Sequence, residues 1–314
     1  MRKWLALTAA GVMALGVAAC GDDEESSGGG GGGGGGELSG NIRIDGSSTV
    51  QPFAEAAAEL FSEENSGVNV TVGGAGTGDG FEKFCRGETQ ISDASRPIEE
   101  DETKLCEQAN IKPVEVQVAS DGITVVTNKN LKVDCMTTGQ LKKLFGKGAK
   151  ATNLSQAGGN LPDQELALYT PGTESGTFDF FTEQINGEEG VQRTEGIQTS
   201  ADDNVLVTGV TGEDGGLGYF GFSFYDQNKD KLNAVKVDGG SGCVEPSLET
   251  IQSGEYKPLA RPIFMYPSEA SLKKPEVKAF LDFVVENYAE IAEAAKIVPM
   301  NEEQATEAKS AISG

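Results

Sequence analysis

Three short segments of the chain combine glycine with serine or threonine where a predicted strand leads into a predicted helix. One of them carries five glycines in eight positions. The first turn of a helix has unpaired backbone N–H groups and the positive end of the helix dipole, so it favours anions. Glycine lets the backbone approach a ligand closely, and a hydroxyl adds a donor without bulk. The segments Asp45–Pro52, Gly73–Gly80 and Thr170–Phe178 therefore predict the binding of an anion.

Each junction alone is weak evidence, because a serine or threonine before a helix usually serves only as an N-cap. Three such junctions in one chain favour a shared site. Neither a G-x-G-x-x-G fingerprint nor a Walker loop occurs in the sequence, and the glycines around Ser175 are in the wrong register for a nucleophile elbow. The chain also has no histidine, which excludes the usual histidine-based catalysis. The sequence thus favours holding an anion over transforming it, and we predict no enzyme activity, metal or cofactor.

A fourth segment, Ile91–Ile98, adds a positive charge. Arg96 follows a predicted strand, is flanked by small residues and is fixed by Pro97. A guanidinium in such a place can grip two oxygens of a tetrahedral anion. The alternative is a surface ion pair with the acidic run Glu99–Glu102.

The chain begins with the features of a lipoprotein signal peptide at residues 1–19, a positive start and an apolar run too short to span a membrane. The run ends in V-A-A-C-G, which resembles the bacterial lipobox and predicts acylation of Cys20; an ordinary cleaved signal with a chance cysteine is the alternative. Residues 20–36 are acidic and then glycine only, which predicts a flexible tether. We expect an exported protein, lipid-anchored to the cell membrane and facing the periplasm or the cell exterior.

From Glu37 onward, short apolar strands alternate with amphipathic helices, the pattern of an α/β chain. Val114–Val118 and Ile123–Thr127 are predicted as separate strands, and Pro275–Ala295 as one helix. This part is long for one hydrophobic core, so two lobes are expected. The formal net charge of −24 argues against nucleic acid and anionic membrane surfaces as partners. An anionic ligand must therefore be held by local donors.

Taken together, these segments resemble the phosphate-binding proteins of phosphate ABC transporters, the PstS family. The resemblance is carried by D-G-S-S-T-V at 45–50, G-T-G-x-G-F-x-K-F-C-R-G-E at 76–88, S-D-A-S-R-P-I at 92–98 and P-G-T-x-S-G-T-F-D-F at 171–180. It implies a two-lobed periplasmic-binding-protein type II fold with two crossing hinge strands, in which 37–120 plus 260–314 form lobe I and 121–259 form lobe II.

The same resemblance implies high-affinity binding of inorganic phosphate in the inter-lobe cleft by a monomer that delivers it to ABC transporter permease subunits. The alternatives are another tetrahedral oxyanion, such as sulfate or molybdate, and a surface phosphohydrolase or adhesin on the same scaffold. The ligand donors that the resemblance implies come from all three junctions, and we add Ser48 and Arg96 to them. The predicted ligand residues are Ser48, Thr49, Val50 through its amide, Thr77, Ser95, Arg96, Ser175, Gly176 and Thr177.

The sequence departs from the family pattern at two positions. Pro171 stands where the family has an arginine, and Arg96 is expected to replace that charge. Ser95 stands where the family has an aspartate. Hydrogen phosphate has a proton to donate and sulfate at neutral pH has none, so a buried carboxylate acceptor would select phosphate. The predicted acceptors are Asp45 and Asp93, with Glu174 and Asp179 as less favoured candidates.

Five cysteines become four once Cys20 is assigned to a lipid, and four cysteines allow three pairings. Two disulfides are the default in an exported protein, and the absence of C-x-x-C disfavours a metal cluster. The preferred pairings are Cys85–Cys106 and Cys135–Cys243. Each pair falls within one implied lobe, whereas a bridge between lobes would lock a cleft that must open and close.

Overall fold

The computed structural model describes residues 38–173 and 175–314. The predicted signal peptide, Cys20, the tether and Glu174 lie outside the described residues, so the expectations that concern them stay predictions. The strands β1 to β13 span Gly40–Gly46, Val68–Val72, Ile91–Ala94, Val116–Asn128, Cys135–Thr137, Ala167–Pro171, Ile197–Ser200, Gly216–Gly221, Leu232–Ala234, Lys236–Asp238, Cys243–Val244, Ala260–Pro267 and Val298–Pro299.

The helices pack on the faces of the sheet, and none within residues 38–173 and 175–314 has the length and apolar character needed to cross a membrane. A π-helical turn at Thr182–Asn186 follows α5, and short 3₁₀ turns lie at Leu154–Ala157 and Ser271–Lys273. The helices α1 to α11 span Gln51–Glu64, Thr77–Cys85, Glu100–Gln108, Thr138–Phe145, Gly176–Phe181, Asp203–Gly212, Phe222–Asn228, Leu248–Gln252, Pro275–Glu286, Tyr288–Ala294 and Glu302–Ser313.

The main sheet runs in the order β2-β1-β3-β12-β4-β8-β6-β7. On one side, β1 lies parallel to β2 and β3; on the other, β6 lies parallel to β7 and β8. The carboxyl ends of parallel strands meet at one edge of a sheet, which is where α/β proteins bind ligands. The predicted anion-binding junctions follow β1, β2 and β6, and Arg96 follows β3, so all four lie at such edges.

Strands β4 and β12 cross between two hydrophobic cores. The first half of β4 pairs with β12, and its Val116 and Val118 lie in one core; its second half pairs with β8 and β9, and its Ile123 and Val125 lie in the other. Each hydrophobic core holds one packed unit of strands and helices together, so two cores indicate two lobes. The fold is therefore the expected two-lobed α/β fold with two crossing strands.

The prediction of two strands around residue 120 is wrong, because β4 is one continuous strand of 13 residues. Asp121 and Gly122, which lie between the two predicted strands, are both buried within β4, and a Cβ at Gly122 would lie 2.6 Å from Ile251 Cδ1. The predicted helix Pro275–Ala295 is in fact two helices, α9 and α10, which are separated at Asn287.

Both predicted disulfides are confirmed. Cys85 at the end of α2 bonds to Cys106 in α3, and Cys135 in β5 bonds to Cys243 in β11. Neither bridge joins the two crossing strands or connects one core to the other, so the cleft between the lobes is left free of covalent ties.

Candidate functional site

A cleft of about 720 Å³ lies where the two lobes meet. Its walls come from the junctions after β1, β2 and β3, from α5 and the turn that follows it, and from the start of β12. The residues that line it are Ser47, Ser48, Thr49, Ala75, Gly76, Thr77, Gly78, Asp79, Ser95, Arg96, Pro97, Asp179, Phe180, Glu183, Gln184, Glu189, Lys257, Pro258, Ala260, Arg261 and Pro262.

The first junction brings Ser48 and Thr49 to the cleft but not the amide of Val50. The Ser47 amide donates to the Asp93 carbonyl at 2.9 Å, which ties the loop to β3. The Val50 amide donates to the Ser47 carbonyl at 3.1 Å, and the residue is fully buried. The Val50 amide is therefore occupied by the hydrogen bond that closes this turn, and its expected role as a ligand donor would require that bond to break.

Two hydroxyls from the second junction and β3 meet in the cleft. Thr77 Oγ1 and Ser95 Oγ lie 3.2 Å apart, and the Ser95 amide donates to Thr77 Oγ1 at 3.3 Å. A pair of rotatable hydroxyls can point one proton toward an anion while the other proton keeps the mutual hydrogen bond, or point both toward the anion by giving that bond up. These two predicted residues are thus placed together in a lining suited to oxyanion contact.

Arg96 lines the cleft but is already paired. Its Nη1 and Nη2 donate to the two carboxylate oxygens of Glu102, each at 2.8 Å, and its Nε lies 3.3 Å from Glu99. The hydrogen bond with Glu102 raises the pKa of the Arg96 guanidinium, although burial opposes it. The alternative drawn from the sequence, an ion pair with the acidic run, therefore forms, and it occupies the donors that would grip an anion.

The third junction approaches the first across the cleft. Ser175 caps α5, its Oγ accepting from the Thr177 amide at 3.2 Å. A Cβ built on Gly176 would lie 2.7 Å from Thr49 Oγ1, so only glycine lets these two segments come so close. Ser175, Gly176 and Thr177 are not among the residues that line the cleft, although Gly176 lies against Thr49, which does.

Sequence reasoning missed Arg261, a largely buried cation in the cleft. It lies near the start of β12, and only 13 % of its side chain is exposed. Its Nη2 donates to Thr49 Oγ1 at 2.5 Å, and its guanidinium carbon lies 3.7 Å from the centre of the Phe180 ring. Asp121 on β4 is a looser partner at 3.4 Å.

The electrostatics of Arg261 differ from those of an ordinary surface arginine. Burial lowers the pKa of the guanidinium, and Asp121, Glu183 and Glu189 only partly offset that effect. A buried, loosely paired cation gains from a further anionic partner.

One signal in the sequence could have identified Arg261. The tripeptide R-P-I occurs at 96–98 and again at 261–263, so a second arginine followed by proline lies at a strand.

The two predicted acceptors, Asp45 and Asp93, lie outside the described lining of the cleft. Asp45 accepts from Lys83 at 2.5 Å and from the Ala75 amide at 3.1 Å. Burial would raise its pKa, but these donors outweigh burial and hold the pKa of Asp45 below its ordinary value. This carboxylate serves to tie the second junction to β1.

Asp93 is fully buried in β3, and neither of its carboxyl oxygens has a hydrogen-bond partner among the described residues. Burial raises the pKa of this carboxyl well above its ordinary value, and the nearby Asp45 adds to the rise. A carboxyl that is buried away from the lining cannot meet an anion in the cleft without a change of conformation. Within residues 38–173 and 175–314, no three acidic or cysteine side chains gather as a metal site would require.

Comparison with known proteins identifies the family. The family model of a PBP superfamily domain matches residues 32–287. The phosphate-binding protein PstS of Staphylococcus saprophyticus is 39% identical over 317 residues, which cover 99% of this chain and 95% of that protein. The chain belongs to the PstS family.

The chain is also similar to the following relative and solved structures. Protein SphX of Synechococcus elongatus is 44% identical over 262 residues, 82% of this chain and 77% of that protein. A crystal structure described as a possible phosphate-binding protein of Planctomyces limnophilus has 41% identity and a TM-score of 0.83, covering 88% of this chain and 98% of that one. A Clostridium perfringens substrate-binding protein with bound phosphate has 30% identity and a TM-score of 0.55, covering 83% and 100%.

Proposed function

We propose that the protein binds inorganic phosphate in the cleft between its lobes and delivers it to an ABC-type permease. The observation that carries the proposal is Arg261. This buried cation contacts Thr49 from one lobe and Phe180 from the other, and its carboxylate partner is distant enough to leave donors for an oxyanion. The bound phosphate in the Clostridium perfringens relative supports the identity of the ligand.

A dehydrated tetrahedral dianion needs at least one positive charge and several convergent donors. Arg261 supplies the charge in this proposal. The hydroxyls of Thr77 and Ser95 supply donors from one side, and Ser48 and Thr49 extend that wall. Ser175, Gly176 and Thr177 complete the set from the opposite lobe, and Arg96 acts at the edge of the cleft, weakened by its pairing with Glu102.

The lobes would close on the anion by a hinge motion. We propose lobe I as 37–120 plus 260–314 and lobe II as 121–259, with β4 and β12 as the hinge. Gly176 and Thr49 belong to different lobes and approach closely at the site. An anion that accepts hydrogen bonds from both segments stabilises the closed arrangement by its differential contacts.

The remaining expectations complete the proposal. The protein acts by binding and not by turnover, as a monomer. Cys20 carries the lipid, and the tether of residues 20–36 holds the exported chain at the membrane while leaving the lobes free to reach the permease. An acidic net charge of −24 suits a surface-tethered protein that meets its anion through local donors.

Calorimetric titration of the purified protein with phosphate, sulfate and molybdate tests the proposal. We expect one phosphate per chain and weaker binding of the other anions. Thr49→Val should weaken phosphate binding about tenfold or more, because it removes a donor and leaves the Arg261 contact unmade. Thr71→Val on β2 is the matched control, since its hydroxyl bonds only to the Ile42 carbonyl. Tighter binding of sulfate, or an unchanged affinity in Thr49→Val, would contradict the proposal.

A further inference from the structure

One stretch of lobe II reverses the charge balance of the rest of the molecule. Residues 135–162 contain four lysines and neither aspartate nor glutamate, whereas the whole chain has 49 acidic residues against 25 lysines and arginines. The stretch includes β5 and α4. In a protein that is acidic overall, a region kept free of carboxylates is where an anionic partner meets the least repulsion.

The four lysines of this stretch fall into two groups. Lys142 and Lys143 lie in the last turn of α4, where they donate to backbone carbonyls at 2.8 and 3.1 Å. Cations at the carboxyl end of a helix stabilise it, so these two have a structural role. Lys147 and Lys150 follow the helix and are exposed, and across residues 38–173 and 175–314 no carboxylate lies within ion-pair distance of either. The fold therefore does not account for the second group.

A pocket of about 370 Å³ brings Lys147 and Lys150 together with Arg193. Arg193 is only 5% exposed. Its Nη1 and Nε donate to three backbone carbonyls at 2.8 to 3.2 Å, whereas its Nη2 donates to none of the described residues. We refer to these three side chains as the basic pocket. A largely buried guanidinium with a free edge lies there between two exposed ammonium groups.

The positive charge of Arg193 is not neutralised by the residues that the structure describes. Glu195 is the one carboxylate in the lining of the pocket, and it lies beyond ion-pair distance. Burial lowers the pKa of the Arg193 guanidinium, and Glu195 only partly offsets that effect. A buried cation held by neutral carbonyls gains from a carboxylate that a partner supplies.

The basic pocket borders the phosphate cleft. Glu189 lines the cleft, and the next residue, Gly190, begins the segment that lines the pocket. The Arg193 amide donates to the Phe145 carbonyl at 2.9 Å, which ties this segment to the end of α4. A partner that receives an anion from the cleft must cover this side of lobe II, so it would also cover the pocket.

Building on the proposed function, we propose that the basic pocket is the docking point of lobe II for an acidic segment of the permease. One carboxylate of that segment enters the pocket and accepts from Nη2 of Arg193. Lys147 and Lys150 hold flanking carboxylates at the rim. This contact fixes the mouth of the cleft against the permease, with charge complementarity setting the orientation.

The shape and charge of the pocket favour an acidic polypeptide over a membrane surface. A side chain can enter a pocket and reach a guanidinium that is 5% exposed, whereas a plane of lipid headgroups would contact only the rim lysines. A membrane surface would also face the field of a chain with a net charge of −24. A single acidic segment meets the local positive charge and little of the remainder.

Phosphate uptake by cells of the source bacterium tests the inference, with the full-length chain replaced by one carrying Lys147→Glu and Lys150→Glu. We expect uptake at subsaturating phosphate to fall about tenfold, because like charges then face each other at the contact. Calorimetry on the same variant should show an unchanged phosphate affinity, since neither lysine lines the cleft. Replacing both lysines by arginine should preserve uptake.

Lys231→Glu is the matched control. Lys231 is also an exposed lysine of lobe II, but it lies next to Asp230, and its Nζ donates to the Asn228 side chain at 3.3 Å. Reversing its charge adds the same negative charge outside the basic pocket. Uptake should therefore stay at the wild-type level in this variant.

The outcomes separate this inference from the proposed function. If the wild-type protein does not bind phosphate, the proposed function fails and the inference fails with it. If the wild-type protein binds phosphate and the double glutamate variant takes it up at the wild-type rate, the proposed function stands and the docking role is overturned. A second phosphate per chain that only the wild-type protein binds would assign the pocket to a free anion and also overturn it. Binding to phosphatidylglycerol vesicles that the double variant loses, with uptake retained, would overturn it in favour of lipid.

Discussion

The cleft contains two arginines, each followed by proline and isoleucine, and their surroundings make them different groups. Arg96, on the loop after β3, is paired with both oxygens of Glu102 and is 35% exposed. Arg261, on the crossing strand β12, is 13% exposed, stacks on Phe180 and has its carboxylate partner at 3.4 Å. A bidentate pair with ideal geometry satisfies the guanidinium, whereas a loose pair in a largely buried site leaves its donors available for a ligand.

The two arginines differ because their partners come from different distances along the chain. The partners of Arg96 lie within six residues along the chain, so any local structure that forms α3 also neutralises it. Asp121 and Thr49, the partners of Arg261, lie 140 and 212 residues away in sequence. The charge of an arginine alone therefore does not show whether its guanidinium is available to a ligand. Here the arginine whose partners are close in sequence is fully paired, and the one whose partners are distant in sequence is not.

The largest effect should distinguish the two arginines directly. We expect Arg261→Ala to weaken phosphate binding about a hundredfold or more, near 3 kcal/mol, because it removes the buried charge of the site. Arg96→Ala should weaken it about tenfold, since that guanidinium is already paired. Calorimetry measures both.

Arg86→Ala is the control for this pair, because Arg86 is exposed and forms ion pairs with Glu82 and Glu88 only. Arg261→Lys tests the geometry separately, since it keeps the charge but cannot bridge Thr49 and Phe180 in the same way. Equal losses from Arg96→Ala and Arg261→Ala would contradict this prediction, because they would mean that the two arginines contribute alike to binding.

A smaller effect should come from the approach of the opposite lobe. Gly176→Ala places a methyl group 2.7 Å from Thr49 Oγ1, so the segments must separate for it to fit. We expect about a tenfold loss of phosphate affinity and a less compact bound state in small-angle X-ray scattering. Gly212→Ala at the end of α6 meets nothing within 4 Å and should leave binding unchanged. Unchanged closure in Gly176→Ala would remove this contact from the mechanism.

The smallest effect should come from freeing Arg96. Glu102→Gln keeps an acceptor for the Glu99 amide, which caps α3, but removes the charge that holds the guanidinium. We expect phosphate affinity to rise about threefold to fivefold, in line with about 1 kcal/mol for a partly exposed pair. The control is Glu82→Gln, which alters the exposed pair with Arg86 on the same lobe. A fall in affinity would mean that Arg96 needs Glu102 to hold it in place.

Much of the fold could be predicted from the sequence because its signals are local. Glycine-rich junctions, alternating strands and helices, and the family motifs gave the two-lobed α/β fold, and both disulfide pairings were confirmed. The prediction failed between Val118 and Ile123, where two separate strands were expected but the chain continues as one crossing strand. Burial of that strand on both sides removes the alternation that marks an ordinary strand.

Sequence reasoning predicted some residues of the site and missed others, again because only local signals could be read. Ser48, Thr49, Thr77, Ser95 and Arg96 all line the cleft, because each follows the carboxyl end of a parallel strand or opens the helix after it. The predicted acceptors Asp45 and Asp93 were chosen because they lie next to these motifs in the sequence, but neither residue lines the cleft.

The sequence by itself was enough to predict the two-lobed α/β plan, which the structure confirms, and it also predicts anion-binding junctions and export signals, since all of these depend on residue types close together in the chain. Tertiary structure decided which charges remain available in the cleft. Arg261 and Asp179 lie far apart in sequence and are brought to the same cleft only by the pairing of β12 with β4 and the packing of α5. Desolvation there, which no local pattern reveals, lowers the pKa of the Arg261 guanidinium and raises the pKa of the Asp179 carboxyl.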